Sequence, residues 1–370
     1  MIFLCFQGFS PDCISCERSH PLPPFFRNSL NINASELGCI HNAVYKSMPN
    51  SSERSEIASL YALKAICALF VVMIHVSFLG KAYVLPLTKC AVPCFLMISG
   101  YLLYDREISF MRSRMKRWLL KTSILVIVTN TIYGIVAYMG GRVIRFIDIA
   151  FVFITGTSIC LPLWYLTAFA LCLLVLLLVC RRSTRCFFIF PWCILICLLL
   201  ARYSFIFGQD WECPFGLRTN ALTVALPCVS IGYLIRRYQG RIMPLAWVRY
   251  APLLIIVPIY IEEFVLSTFF VNNGMSYGIF TIPQAFLLVL WCVTFPDKYC
   301  PILKQIGKYH SANIYYIHSL VGMVIAKSLP SSPPWISTCI WGMGAWLVFL
   351  LSWCVSILLL RLKSDGLLRS

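Results

Sequence analysis

"LKAICALFVVMIHVSF", Leu63 to Phe78, is an apolar run with two ionisable interruptions, Lys64 near its start and His75 near its end. A helix that crosses a bilayer needs about 20 mostly apolar residues, and this run with its flanks has that length. The whole chain agrees: 60% of its 370 residues are hydrophobic, 12% are charged and the mean hydropathy is +0.81. Soluble domains carry roughly twice that share of charge. The composition therefore excludes an ordinary soluble domain and defines an integral membrane protein.

Ten such runs follow one another, at 60-80, 83-104, 119-139, 158-180, 186-206, 219-235, 249-270, 276-296, 309-328 and 335-360. They are continuously apolar rather than alternating, which argues for helices and against a barrel of strands. The expected fold is all-α, a polytopic helical bundle of about ten transmembrane helices. It occupies residues 56-370. Residues 1-55 are mixed polar, carry "PLPP" and lack helical periodicity, so they read as a disordered tail or an overextended start.

A net charge of +17 can mark a nucleic-acid partner, but in a polytopic protein basic residues collect in cytoplasmic loops. Arg106, Arg112, Arg114, Lys116, Arg117 and Lys121 follow the second run, and Arg181, Arg182 and Arg185 follow the fourth. Arg236, Arg237 and Arg241 follow the sixth, Lys298, Lys304 and Lys308 the eighth, and Arg361 and Lys363 the tenth. The pattern places both termini in the cytoplasm, with the bilayer rather than nucleic acid as partner. Arg142 and Arg145, after the third run, oppose the trend. Glu262 and Glu263 fall at the outer end of the seventh run, in solvent or on a sugar. The 19 cysteines lie mostly inside the runs, as free cysteine does in apolar cores. Cys13, Cys16, His20, Cys39 and His41 match no zinc spacing, and no metal is expected.

Lys64 and His75 are 11 residues apart, about 20° past three full helical turns and about 16 Å of rise. They share one face. Ionisable residues inside a membrane are costly and mark function by default, although a lone histidine can also brace neighbouring helices.

The segment "LKAICALFVVMIHVS" with "VPCFLMISGYLLYDRE" at Val92 to Glu107 resembles the opening of the acyltransferase-3 family. These are multi-pass membrane enzymes that O-acylate surface glycans and related acceptors. Similarity continues in "RMKR" at Arg114 to Arg117, "LWYL" at Leu163 to Leu166, "RTNALTVALPCVSIGYLI" at Arg218 to Ile235 and "IGKYHSANIYYIHSLVG" at Ile306 to Gly322. Two departures stand out. Lys64 replaces the family's Arg, losing a planar fork suited to carboxylate or phosphate, and the histidine expected before "LWYL" is missing.

The resemblance implies an O-acetyltransferase of the cell (cytoplasmic) membrane that moves an acyl group, acetyl by default, from cytoplasmic acyl-CoA to a hydroxyl of a cell-surface glycan or lipid-linked sugar. Acyl-CoA is a substrate and no cofactor is held permanently. It implies His75 as general base, with Lys64 beneath it. Arg114, Arg117, Ser99 and Tyr101 are the expected acyl-CoA contacts, and Arg218, Asn220, Trp164 and His318 the expected acceptor contacts. Each has a structural alternative: a positive-inside anchor for the arginines, helix packing for Ser99, an interfacial position for Tyr101, a helix cap for Asn220, bracing for His318. A multi-pass transporter or a non-catalytic membrane sensor is the competing reading. Direct transfer and an acyl-histidine intermediate both remain open.

Overall fold

At several prolines the apolar runs break into shorter helices. The computed structural model describes residues 57–364 except 144, 157, 201–202, 204–218, 243–245, 270–276 and 329–333; the head at 1–55 and Arg218 lie outside the described residues. The elements in chain order are α1 Ala58–His75, α2 Lys81–Thr88, α3 Ala91–Leu103, α4 Ile108–Met139, α5 Phe146–Thr155, α6 Trp164–Val179, α7 Cys186–Ile189 and α8 Ile194–Leu200. They continue with α9 Leu226–Arg237, α10 Gln239–Ile242, α11 Ala251–Leu254, α12 Ile256–Phe269, α13 Thr281–Thr294, α14 Pro301–Gln305, α15 Ser311–Ser328 and α16 Pro334–Ser364. Among the described residues there is no strand.

Among the described residues, four stretches are long and apolar enough to cross a bilayer: Ala58–His75, Lys81–Leu103, Ile108–Met139 and Ser337–Leu362. These four do not by themselves confirm the expected count of about ten, and several of the other runs are interrupted at prolines. A proline lacks the N–H that a helix interior needs. Pro162 sits in the 3-10 turn Leu161–Leu163 ahead of α6, and Pro191 sits in the turn Phe190–Cys193 that separates α7 from α8. Ahead of Pro227 the chain forms a π turn, Ala221–Ala225, and Pro252 lies in the short α11. Long hydrophobic runs are thus divided into shorter helices.

Side-chain contacts sort the helix ends into two groups. The Ser59 hydroxyl donates to the Cys292 carbonyl at 2.6 Å, joining the start of α1 to the end of α13. Arg112 Nη1 donates to the Leu177 carbonyl at 2.9 Å, joining the start of α4 to the end of α6. The ends of α3 and α9 meet where Tyr104 packs on Tyr233, ring centroids 5.1 Å apart. The basic residues that follow α3, α6 and α9 therefore lie at one end of the bundle, which we call the basic end. At the other end the Leu79 amide donates to the Gly342 carbonyl at 3.0 Å, bringing the segment after α1 to α16. There the Glu262 carboxylate accepts from Tyr203 Oη at 2.6 Å and from the backbone amides of Ile279 and Phe280 at 2.8 and 3.2 Å. Glu263 pairs with the buried Lys89 at 3.3 Å. Both carboxylates, expected in solvent or on a sugar, instead tie α12 to its neighbours.

The central seam joins α3 to α9. A Cβ on Gly100 would fall inside contact distance of the Val229 carbonyl oxygen, and one on Gly232 would do the same to the Met97 carbonyl. The approach is reciprocal and involves backbone on both sides, so neither helix can yield separately. Small residues allow this closeness between membrane helices, where packing rather than hydrophobicity drives association. Gly232→Val is expected to part the helices and cost about 1–3 kcal/mol or more. The check is the thermal midpoint of the detergent-solubilised protein, which should fall by several degrees.

Candidate active site

α1 ends at His75 because Val76 is extended, with φ −110° and ψ 141°. This leaves His75 as the last helical residue, with an exposed imidazole. Its ring centroid lies 5.8 Å from that of His318, at an interplanar angle of 30°. His318 is carried by α15 and is 0% exposed. One imidazole is open and one is closed, side by side.

The tautomer of His318 follows from its partners. Nδ1 is 2.7 Å from the Tyr315 carbonyl oxygen, which can only accept, so Nδ1 carries the proton. Nε2 then bears the lone pair and accepts from Ser319 Oγ at 3.2 Å. An aromatic wall backs the pair: Tyr315 lies 6.0 Å from His318, 5.5 Å from Tyr165 and 6.4 Å from Phe95. Tyr315 Oη donates to the Pro162 carbonyl at 2.6 Å and Tyr133 Oη to the Tyr316 carbonyl at 2.7 Å. These bonds fix the turn of α15 that carries His318. No described protein group hydrogen-bonds the ring nitrogens of His75, which are open to a substrate.

At the basic end Lys64 extends over the Tyr61 ring, its Nζ 5.7 Å from the centroid, and Lys308 lies 5.9 Å from the same ring. The two cations meet because the π turn Ile306–His310 presses on α1 at Gly307, where a Cβ would collide with the Tyr61 carbonyl oxygen. From composition Lys308 reads as one more topogenic charge. Its position beside Lys64 needs the tertiary contact to be seen. Two like charges near one aromatic face repel each other and favour an anion between or above them.

The other expected site residues have individual positions. Arg114 Nη1 donates to the carbonyls of Leu102, Leu103 and Tyr104 at 2.9, 3.2 and 3.3 Å, and Nη2 bonds Asp105 at 3.1 Å. It caps the carboxyl end of α3, where the last carbonyls lack helical partners. Arg117, three residues on, is exposed. Ser99 Oγ donates to the Phe95 carbonyl at 2.9 Å, within its own helix. Tyr101 donates to Gln239 Oε1 at 2.8 Å at the basic end. Trp164 is buried in the first turn of α6. Asn220 Oδ1 accepts from the amides of Leu222 and Thr223 at 2.8 and 3.1 Å, and Thr223 Oγ1 accepts from the Asn220 amide at 3.2 Å. Asn220 thereby forms a reciprocal cap ahead of α9. The structure brings His75 to His318, and separately places Lys64, Tyr101 and Arg114 at the basic end.

Among the described residues, an all-helical bundle with several apolar helices, an exposed imidazole beside a buried one and a cationic end defines the class: a multi-pass membrane protein. The profile of the acyltransferase-3 family, described as an acyltransferase domain, matches residues 57–359. The chain belongs to this family and is a membrane acyltransferase. No curated protein and no solved structure matches the chain.

Proposed function

We propose that the protein transfers an acyl group, acetyl by default, from cytoplasmic acyl-CoA to a hydroxyl of a cell-surface glycan or lipid-linked sugar, in a cytoplasmic membrane crossed about ten times with both termini inside. The observation that carries this reading is the His75–His318 pair, centroids 5.8 Å apart, standing about 16 Å of helical rise above Lys64. That rise is comparable with an extended pantetheine arm. A nucleotide end held near Lys64, Lys308 and Arg117 would present its thioester near His75.

His75 acts as general base in this scheme. The acceptor oxygen attacks the thioester carbonyl while its proton passes to an imidazole nitrogen of His75. The tetrahedral intermediate collapses, the C–S bond breaks, and the CoA thiolate leaves with the proton that His75 returns. An imidazole nitrogen with a free lone pair can both take and give that proton. Buried His318, anchored by its Nδ1 bond to the Tyr315 carbonyl, positions His75 beside it. Arg114 keeps the end of α3 in place while Arg117 faces the incoming donor. Membranes containing the protein should move label from acetyl-labelled acetyl-CoA into extracted glycan. Absence of label with folded, correctly inserted protein would overturn the reading.

A further inference from the structure

Beyond the lysines near α1, the seam between α3 and α9 builds a second cationic position. Because Gly100 and Gly232 bring the two backbones together, Tyr101, next to Gly100, and Arg236, one turn beyond Gly232, meet at the basic end. Arg236 Nη1 donates to Tyr101 Oη at 2.7 Å and to Gln239 Oε1 at 2.7 Å, and the Tyr101 hydroxyl donates to the same Gln239 oxygen at 2.8 Å. The guanidinium also lies over the Tyr101 ring, 5.0 Å from its centroid. Tyr101 is itself 3% exposed. The three side chains form a closed triangle.

The partners are all neutral. An arginine remains charged at any accessible pH, so the triangle fixes a full positive charge without cancelling it. A guanidinium has five N–H donors; two are engaged here, and Nη2 and Nε keep three in a rigid fork. The next residue shows the contrast. Arg237 is exposed, bonds Thr184 at 3.1 Å and lies over Phe188 and Tyr238 at 5.6 and 5.7 Å, as a topogenic surface charge does. Nearby Arg114 has its charge met by Asp105 at 3.1 Å. Arg236 is half-buried and oriented by two bonds, and among the described residues no carboxylate meets its charge. A fork of parallel donors fits a phosphate, which it binds through paired charge-assisted hydrogen bonds.

We propose that Arg236, oriented by Tyr101 and Gln239, is a phosphate-binding residue that holds a phosphate of the acyl donor's nucleotide end. The assignment of the phosphate to the donor rests on the acyltransferase reading above; phosphate recognition by Arg236 rests on the triangle itself. The other source of the same chemistry is a lipid headgroup, and the two are separable.

The probe is adenosine 3′,5′-bisphosphate, the phosphorylated nucleoside portion of CoA without a thioester, titrated against the full-length protein in nanodiscs. Wild type is expected to bind it, Arg236→Gln to weaken Kd by about tenfold or more, Arg236→Lys to recover part of the loss, and Tyr101→Phe to give an intermediate loss of orientation. Retained thermal midpoints for the lysine and phenylalanine variants keep the test valid if the glutamine variant folds poorly. Equal Kd values for wild type, Arg236→Lys and Tyr101→Phe would overturn the proposal. If instead the variants change only the stabilisation given by anionic over zwitterionic lipid, the phosphate is a headgroup and assignment to the donor is overturned. Acyl transfer assayed in parallel separates the two claims. Nucleotide binding through Arg236 without any transfer would sink the acyltransferase scheme and keep the phosphate site, whereas transfer with unchanged Kd in the variants would do the reverse.

Discussion

Replacing His75 with alanine should lower the rate of acyl transfer by about a hundred- to ten-thousand-fold, the range for removal of a positioned general base, while leaving the fold nearly unchanged. The exposed imidazole at the end of α1 makes no described hydrogen bond whose loss would leave a buried group unsatisfied. Stability and activity therefore respond separately here. Initial rates at saturating acyl-CoA, set beside thermal midpoints of the same preparations, give the comparison. Donor KM should change little, because the nucleotide end lies about 16 Å away on the helical rise. A variant that keeps more than a tenth of the wild-type rate would show that the proton goes elsewhere.

The second large effect is expected at His318, and there the choice of replacement carries the information. Phenylalanine fills the volume but lacks both nitrogens, leaving a hydroxyl at Ser319 without its acceptor; transfer should fall by about ten- to a hundredfold, within what lost positioning can cost. Asparagine can reproduce the Nδ1–H bond to the Tyr315 carbonyl, and glutamine can reach the place of Nε2. If His318 acts through its Nε2 lone pair beside His75, His318→Gln retains more activity than His318→Asn. A purely bracing role gives the opposite order, since the 2.7 Å bond to Tyr315 is the anchoring one. The pH dependence of the rate adds a readout that bracing alone would not move.

How the sequence relates to this structure differs from element to element. α1 is legible because its apolar run, its two ionisable residues and their common face all follow from spacing. The all-helical class follows from composition for the same reason. The divided helices were not, since a hydropathy window averages over Pro162, Pro191 and Pro227, whereas each acts on one backbone position by removing a donor. Partner choice is also invisible along the chain. Glu262 reads as a solvated outer charge until Tyr203 and the turn at 279–280 are brought to it. Arg236 and Lys308 read as topogenic charges because their distinguishing contacts, Tyr101 and Tyr61, are more than a hundred residues away. Arg114 shows a further limit: a motif places it in a family position, but spacing cannot tell a cap for α3 from a contact to a nucleotide.

The most direct test of the central claim is transfer of labelled acetyl from acetyl-CoA to envelope glycan by membranes containing wild-type protein, His75→Ala protein at matched levels, or neither. The account predicts label in glycan with wild type alone. Equal labelling by wild type and His75→Ala, or none from either despite correct folding and insertion, would contradict it.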